Sequence, residues 1–137
     1  ADSEGLTLLM WAAKGGNDAL VERFLASGAT KDAADSNGWT PLMWASRKGN
    51  YAVVKLLLEK GIKEDVVDNK GFTALMSAAR GGNEGVVELL LEGGAQKDAR
   101  DKRERTALMW ASNDGHDKVV KLLIDCGADF KARDKWG

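Results

Sequence analysis

A single histidine and a single cysteine bound the chemistry this chain can carry. Zinc sites draw most of their ligands from Cys and His, and a nucleophilic thiol needs a base beside it. One residue of each kind supports neither. His116 falls in the local slot that Asn17, Asn50 and Asn83 hold, so a helix-capping or turn role is expected. Cys126 precedes a helix-ending glycine and is expected to be partly exposed, open to labelling but not catalytic. The stretch RGGNEG at 80–85 has glycines but lacks the lysine and the spacing of a phosphate loop, and it falls between two helical segments. The carboxylates are scattered over surface positions, with no apolar pocket to raise one of them. No catalytic residue, cofactor or metal ion is therefore expected. The chain reads as a non-enzyme unless a catalytic domain lies outside it.

What remains is a set of tryptophans and basic residues, and their positions follow a period. Asp recurs at 2, 35, 68, 101 and 134, a strict spacing of 33. Thr recurs at 7, 40, 73 and 106, Leu at 9, 42, 75 and 108, and Gly at 28, 61, 94 and 127. Such self-similarity means a stack of supersecondary units in place of one folded-up core. Four full units, 2–34, 35–67, 68–100 and 101–133, are followed by the start of a fifth at 134–137. They form one array over 1–137.

Each unit explains itself locally. Thr40 can cap a helix, and Pro41, the only proline, fits its first turn, where a missing N–H costs nothing. The helix runs to about Lys48, and Gly49 can take the left-handed conformation that ends it. Asn50 is the expected N-cap of the next helix, which turns Val53, Val54, Leu56, Leu57 and Leu58 inward and Lys55, Glu59 and Lys60 outward. The polar stretch after Ile62 reads as a projecting turn.

DSNGWTPLMWASRKGN and VVKLLLEKGI resemble the ankyrin repeat, whose pattern is D-x-x-G-x-T-P-L-H-x-A-A-x-x-G-H followed by V-V-x-L-L-L-x-x-G-A. The resemblance covers essentially the whole chain. It implies an all-α solenoid of stacked helix-turn-helix units with projecting hairpins, a concave face lined by hairpins and first helices, and a non-catalytic protein-binding role. The chain departs from the pattern in places. Met stands at 10, 43, 76 and 109 where the family has His, Glu104 replaces the fourth hairpin glycine, and Asp occupies 32, 65 and 98 in place of Asn. Arg23, in the slot of Leu56, Leu89 and Leu122, is weakly like a polar N-terminal cap. The C-terminal end has no such substitution, as expected of part of a longer array.

Helical geometry places the tryptophans. With Leu42 at zero and about 100° per residue, Ala45 and Ser46 share its face, while Trp44 lies at about 200°, between Arg47 and Lys48. Met43 sits on the flank and reads as filler between units. One row along the expected groove is Trp11, Trp44, Ser77 and Trp110, and a second is Leu6, Trp39, Phe72 and Arg105. The indoles of the first row either cover neighbouring helices or also meet a ligand. Trp39 and Phe72, on the hairpins, have less structural reason to be aromatic, which favours contact.

Charge sorts by face beneath a net −1. Lys14, Arg47, Lys48, Lys70, Arg80, Arg100, Lys102, Arg103, Arg105 and Arg133 are expected to face the groove, against Glu4 and Asp114. The opposite helices carry Glu22, Glu59, Glu88, Glu92, Asp117 and Asp125, diluted by Lys55, Lys60, Lys118 and Lys121, a back that is mixed to acidic. The expected partner-binding residues are Trp11, Trp39, Trp44, Arg47, Lys48, Phe72, Arg80, Arg103, Arg105 and Trp110. They point to a protein or peptide partner, acidic with apolar anchors, on a monomeric scaffold. A second reading uses the aromatics as a cage. GWTPLMWAS is similar to the Trp-bearing ankyrin repeats of histone H3 lysine methyltransferases, which hold a methylated lysine. Trp39 and Trp44 match two walls, but Ser77 and Arg47 depart from the others. A third use is substrate docking for a larger enzyme. The acidic back and near-neutral charge argue against nucleic acid, and no apolar run is long enough for a membrane. The lone cysteine suits a reducing compartment, and no leader-like segment precedes the first periodic stretch. An intracellular location, cytoplasmic or nuclear, is expected.

Overall fold

The computed structural model describes residues 7–29 and 33–136. Asp2, Glu4, Leu6, Asp32 and Gly137 lie outside the described residues. Among those described, eight helices form four antiparallel pairs and there is no strand. The inner helices are α1 (Leu8–Gly15), α3 (Pro41–Lys48), α5 (Ala74–Arg80) and α7 (Ala107–Asn113). The outer helices are α2 (Asp18–Ala26), α4 (Tyr51–Glu59), α6 (Glu84–Glu92) and α8 (Asp117–Asp125). Each inner helix packs on its own outer helix and on the next inner helix, so the stack has two rows and one continuous core.

The inner helices start for the reason the sequence suggests. Thr7, Thr40, Thr73 and Thr106 each accept a hydrogen bond at Oγ1 from the backbone N–H three residues on, at 3.2–3.3 Å. That satisfies one of the N–H groups a helix start leaves unpaired. Leu42, Met43, Ala45 and Ser46 are buried while Trp44 is half-buried, the division the helical angle predicts. Met10, Met43 and Met76 are no more than 1% exposed, whereas Met109, on the last pair, is half-buried. This is the pattern expected of a side chain covered by the following pair. In α4, Val53, Val54 and Leu57 are buried, Leu56 and Leu58 are half-buried, and Lys55 and Glu59 are exposed. Burial of each such aliphatic side chain stabilises the stack by about 1.5–3 kcal/mol.

The residues before the outer helices do something the local rule does not foresee. Asn17 caps α2, accepting from Leu20 N–H at 3.1 Å. Asn50, Asn83 and His116 make no cap bond at all. Asn50 Nδ2 donates to the carbonyls of Ala13 and Lys14 (2.8 and 3.3 Å), and Asn83 Nδ2 to those of Ser46 and Arg47 (2.9 and 3.2 Å). His116 Nε2 lies 2.9 Å from the Arg80 carbonyl, an acceptor, so this nitrogen carries the proton. These side chains satisfy C-terminal carbonyls of the preceding inner helix, which have no partner within it. They tie pair to pair in place of the expected caps. Gly49 lies against this link: its φ is 70°, and a Cβ there would stand 2.6 Å from Asn83 Oδ1.

Candidate functional site

The turns between pairs are organised by the periodic aspartates. Oδ1 of Asp35 accepts from the N–H groups of Asn37 and Trp39 at 2.9 Å, and Oδ1 of Asp68 from Lys70 and Phe72 at 2.8 Å. Asp101 does the same for Arg103 and Arg105 at 2.9 Å. Successive turns are joined through backbone, Asn69 N–H to Asn37 C=O at 3.0 Å and Lys102 N–H to Lys70 C=O at 2.9 Å. Gly71 meets this approach with a φ of 79° and backbone of Lys102 3.0 Å from where a Cβ would stand. Glu104, in the corresponding slot, holds a φ of 61°, the one left-handed non-glycine among the described residues.

The second oxygen of each aspartate takes an indole. Trp44 Nε1 donates to Asp35 Oδ2 and Trp110 Nε1 to Asp101 Oδ2, both at 3.2 Å. Ser77 replaces the corresponding tryptophan of α5, and Asp68 Oδ2 is reached instead by Trp39 Nε1 of the preceding turn, at 2.9 Å. Buried aspartates thus clamp each turn to an indole by charge-assisted bonds. Trp44, which helix-start and core rules do not require, has a local task after all. The clue in the sequence was the aspartate period itself, which stands nine residues before each of Trp11, Trp44 and Trp110.

Above this layer lies a cleft of about 740 Å³. Trp44, Arg47 and Lys48 of α3, Arg80 of α5 and Trp110 of α7 line it from the helices. Trp39, Lys70, Phe72, Lys102, Arg103 and Arg105 line it from the turns. Seven cations face it against only Asp68 and Asp101, both already committed to backbone and indole N–H groups. Arg105 Nε pairs with Asp101 Oδ2 at 3.2 Å, while the other six cations form no ion pair among the described residues.

Nine of the ten sequence-predicted contact residues line this cleft, but not all present free surface. Trp11 does not line it; half-exposed, it meets Lys14 Nζ at 5.2 Å, and that ammonium also lies 4.6 Å from the Trp44 ring. Phe72, expected as a contact, is only 6% exposed: its ring packs edge-on against Trp110 at 5.1 Å and joins the core. Trp110 is 9% exposed, with the guanidinium carbons of Arg105 at 4.0 Å and Arg80 at 4.7 Å from its ring. Trp39 and Trp44 remain half-buried, their rings 4.8 Å apart and tilted 50°. Arg103 stacks toward Trp136 at 5.6 Å, a neighbour outside the predicted set.

A family model described as "Ankyrin repeats (3 copies)" matches residues 1–68 and 62–134. The chain belongs to the ankyrin-repeat family. Ankyrin repeats generally mediate protein–protein interaction and are typically non-enzymatic scaffolds. No curated protein matches the chain. None of the described helices in this ankyrin array is long and apolar enough to cross a membrane.

Proposed function

We propose that this array is a non-catalytic interaction scaffold whose cleft takes an extended or loop-borne protein segment, acidic with apolar anchors. The observation that supports it most is the charge imbalance of the lining. Six unpaired cations face a cleft in which the two carboxylates are spent, in a chain of net charge −1. Arginine donates two parallel N–H bonds to a carboxylate, and half-buried indoles supply apolar area. Opposite-charge recognition weakens with salt because exposed pairs are screened.

A peptide array probed with the purified chain tests this. Acidic peptides carrying Phe or Leu should bind, weaken between 50 and 300 mM salt, and lose affinity on Arg47→Ala with Arg80→Ala. Both arginines are exposed, so the pair can be removed without unpicking the turns. Preferential capture of basic peptides would contradict the proposal. Removing Trp39 and Trp44 is a poorer test, because their Nε1 groups hold Asp68 and Asp35.

The methyl-lysine cage is the weaker reading. Trp39 and Trp44 lie 4.8 Å apart and touch each other, leaving no gap for an ammonium between them, and Lys14 stands over Trp44. Cation–π binding needs an open ring face. Titration with trimethylated and unmodified lysine peptides should show no preference.

A further inference from the structure

The cations of the cleft differ in how they are held. Arg47, Lys48, Lys70 and Lys102 are exposed, with no ring contact and no ion pair among the described residues. Binding would have to freeze their side chains, which opposes affinity. Arg80 and Arg105 are held at one indole, and Arg105 is further fixed by Asp101 through Nε alone. Ring contact uses the charge of a guanidinium and leaves its N–H donors for a carboxylate. At 4.7 and 4.0 Å from the same centroid, the two guanidinium carbons are no further apart than those distances end to end. Carboxylates two residues apart on an extended segment share a face about 7 Å apart, a spacing that falls within this limit.

The aromatic surface lies elsewhere. Trp110 is covered by the two arginines and Phe72 is in the core, so the ring surface left at the cleft belongs to Trp39 and to the part of Trp44 that Lys14 does not cover. Their N–H groups are already paired, so what they offer a partner is apolar area. This surface is on α3 and its preceding turn, whereas Arg80, from the end of α5, and Arg105, from the turn before α7, bring their guanidinium groups together at the Trp110 ring of α7.

We infer that the cleft reads its partner at two points a set distance apart: one apolar side chain at Trp39 and Trp44, and an acid-x-acid pair at Arg80 and Arg105. This rests on the acidic-segment reading above and adds its register. Neighbouring helices pack about 8–10 Å apart, so α3 and α7 are on the order of 16–20 Å apart. An extended chain covers about 3.3 Å per residue, so about five or six residues separate the two anchors. Two anchors on one chain reinforce each other only when the linker spans the sites.

The test uses fluorescein-labelled peptides with one Phe, a Gly/Ser spacer of one, three, five, six or nine residues, and Glu-Ser-Glu, made in both chain directions. Fluorescence anisotropy against the whole chain in about 0.1 M salt, where charge pairs are only partly screened, reads the affinity. In one direction the five- and six-residue spacers should bind at least tenfold tighter than the one-residue spacer. Arg80→Lys keeps the charge and loses the planar fork, so it should weaken those peptides three- to tenfold. Arg47→Lys should change them less than twofold. Equal affinity at every spacing, tracking charge alone, overturns the two-point register and leaves the acidic-partner reading standing. Absence of binding by any of these peptides and by the acidic array removes both.

Discussion

The bond between Trp39 and Asp68 decides whether the indoles are part of the framework. Asp68 is 9% exposed, and its Oδ1 holds the turn through Lys70 and Phe72 while Oδ2 accepts only Trp39 Nε1. Asp68→Asn keeps an oxygen for the backbone N–H groups and turns an amide N–H toward the indole N–H, so one bond becomes a donor–donor contact. A hydrogen bond to a charged group is worth about 1.5–3 kcal/mol, and water reaching the half-buried ring recovers part of that, so about 1.5–2 kcal/mol should be lost. Trp39→Phe removes the same bond and some ring area, at a similar cost. Because both changes remove one interaction, the double variant should cost less than their sum, with a coupling of about 1–2 kcal/mol. Urea unfolding followed by circular dichroism measures the cycle, provided the slope with denaturant stays constant, since repeat arrays can unfold in parts. A coupling below about 0.5 kcal/mol, the usual error of additivity, would show that water satisfies the indole equally well. The account of the aspartate period as a clamp would then be wrong.

Three further changes probe the framework. Glu104→Gly should raise stability by about 0.5–1 kcal/mol in thermal melts. It relieves about 1–2 kcal/mol of left-handed strain and gives back part of that as unfolded-chain entropy. Gly49→Ala should cost at least about 2 kcal/mol, because it places a side chain at a φ of 70° and drives Cβ into the Asn83 link; hydrogen exchange should show α3 and α6 losing protection together. The Glu64 carboxyl is pushed up from its ordinary value by burial and, secondarily, by Asp65, and its Oε2 has no hydrogen-bond partner among the described residues. The folded chain therefore holds this proton more tightly than the unfolded one. The associated stability is complete at acid pH and lost as pH rises through the raised value. Glu64→Gln should accordingly melt higher than the parent at pH 7, with the gap closing as pH falls toward the ordinary carboxylate range.

Helix starts, helix ends and the buried stripe were legible in the sequence because each is a short-range rule: Thr40 caps Met43, and Leu42, Ala45 and Ser46 share a face. The helical angle also turned Trp44 toward the cleft correctly. It failed where a partner lies a whole repeat away. Asn50 reads as an N-cap from its neighbours, yet its amide reaches Ala13 and Lys14, 37 and 36 positions back. Trp110 takes the helical position of Trp44 and Phe72 the hairpin position of Trp39, and only tertiary packing reveals that Phe72 meets Trp110 and that two arginines cover that indole. The aspartate period was visible, but its chemistry depends on a turn that folds each carboxylate back to an indole nine residues ahead or, at Asp68, 29 behind.

Binding at the basic, aromatic cleft has a direct spectroscopic signature. The side-chain N–H signals of the five tryptophans report on it directly in a ¹⁵N-resolved NMR titration with the six-residue-spacer acidic peptide. The Trp39, Trp44 and Trp110 indole signals and the backbone amides at Arg80 and Arg105 should move, with the exposed faces of α4 and α6 unmoved. Shifts confined to those outer helices, or to an added basic peptide alone, would contradict it.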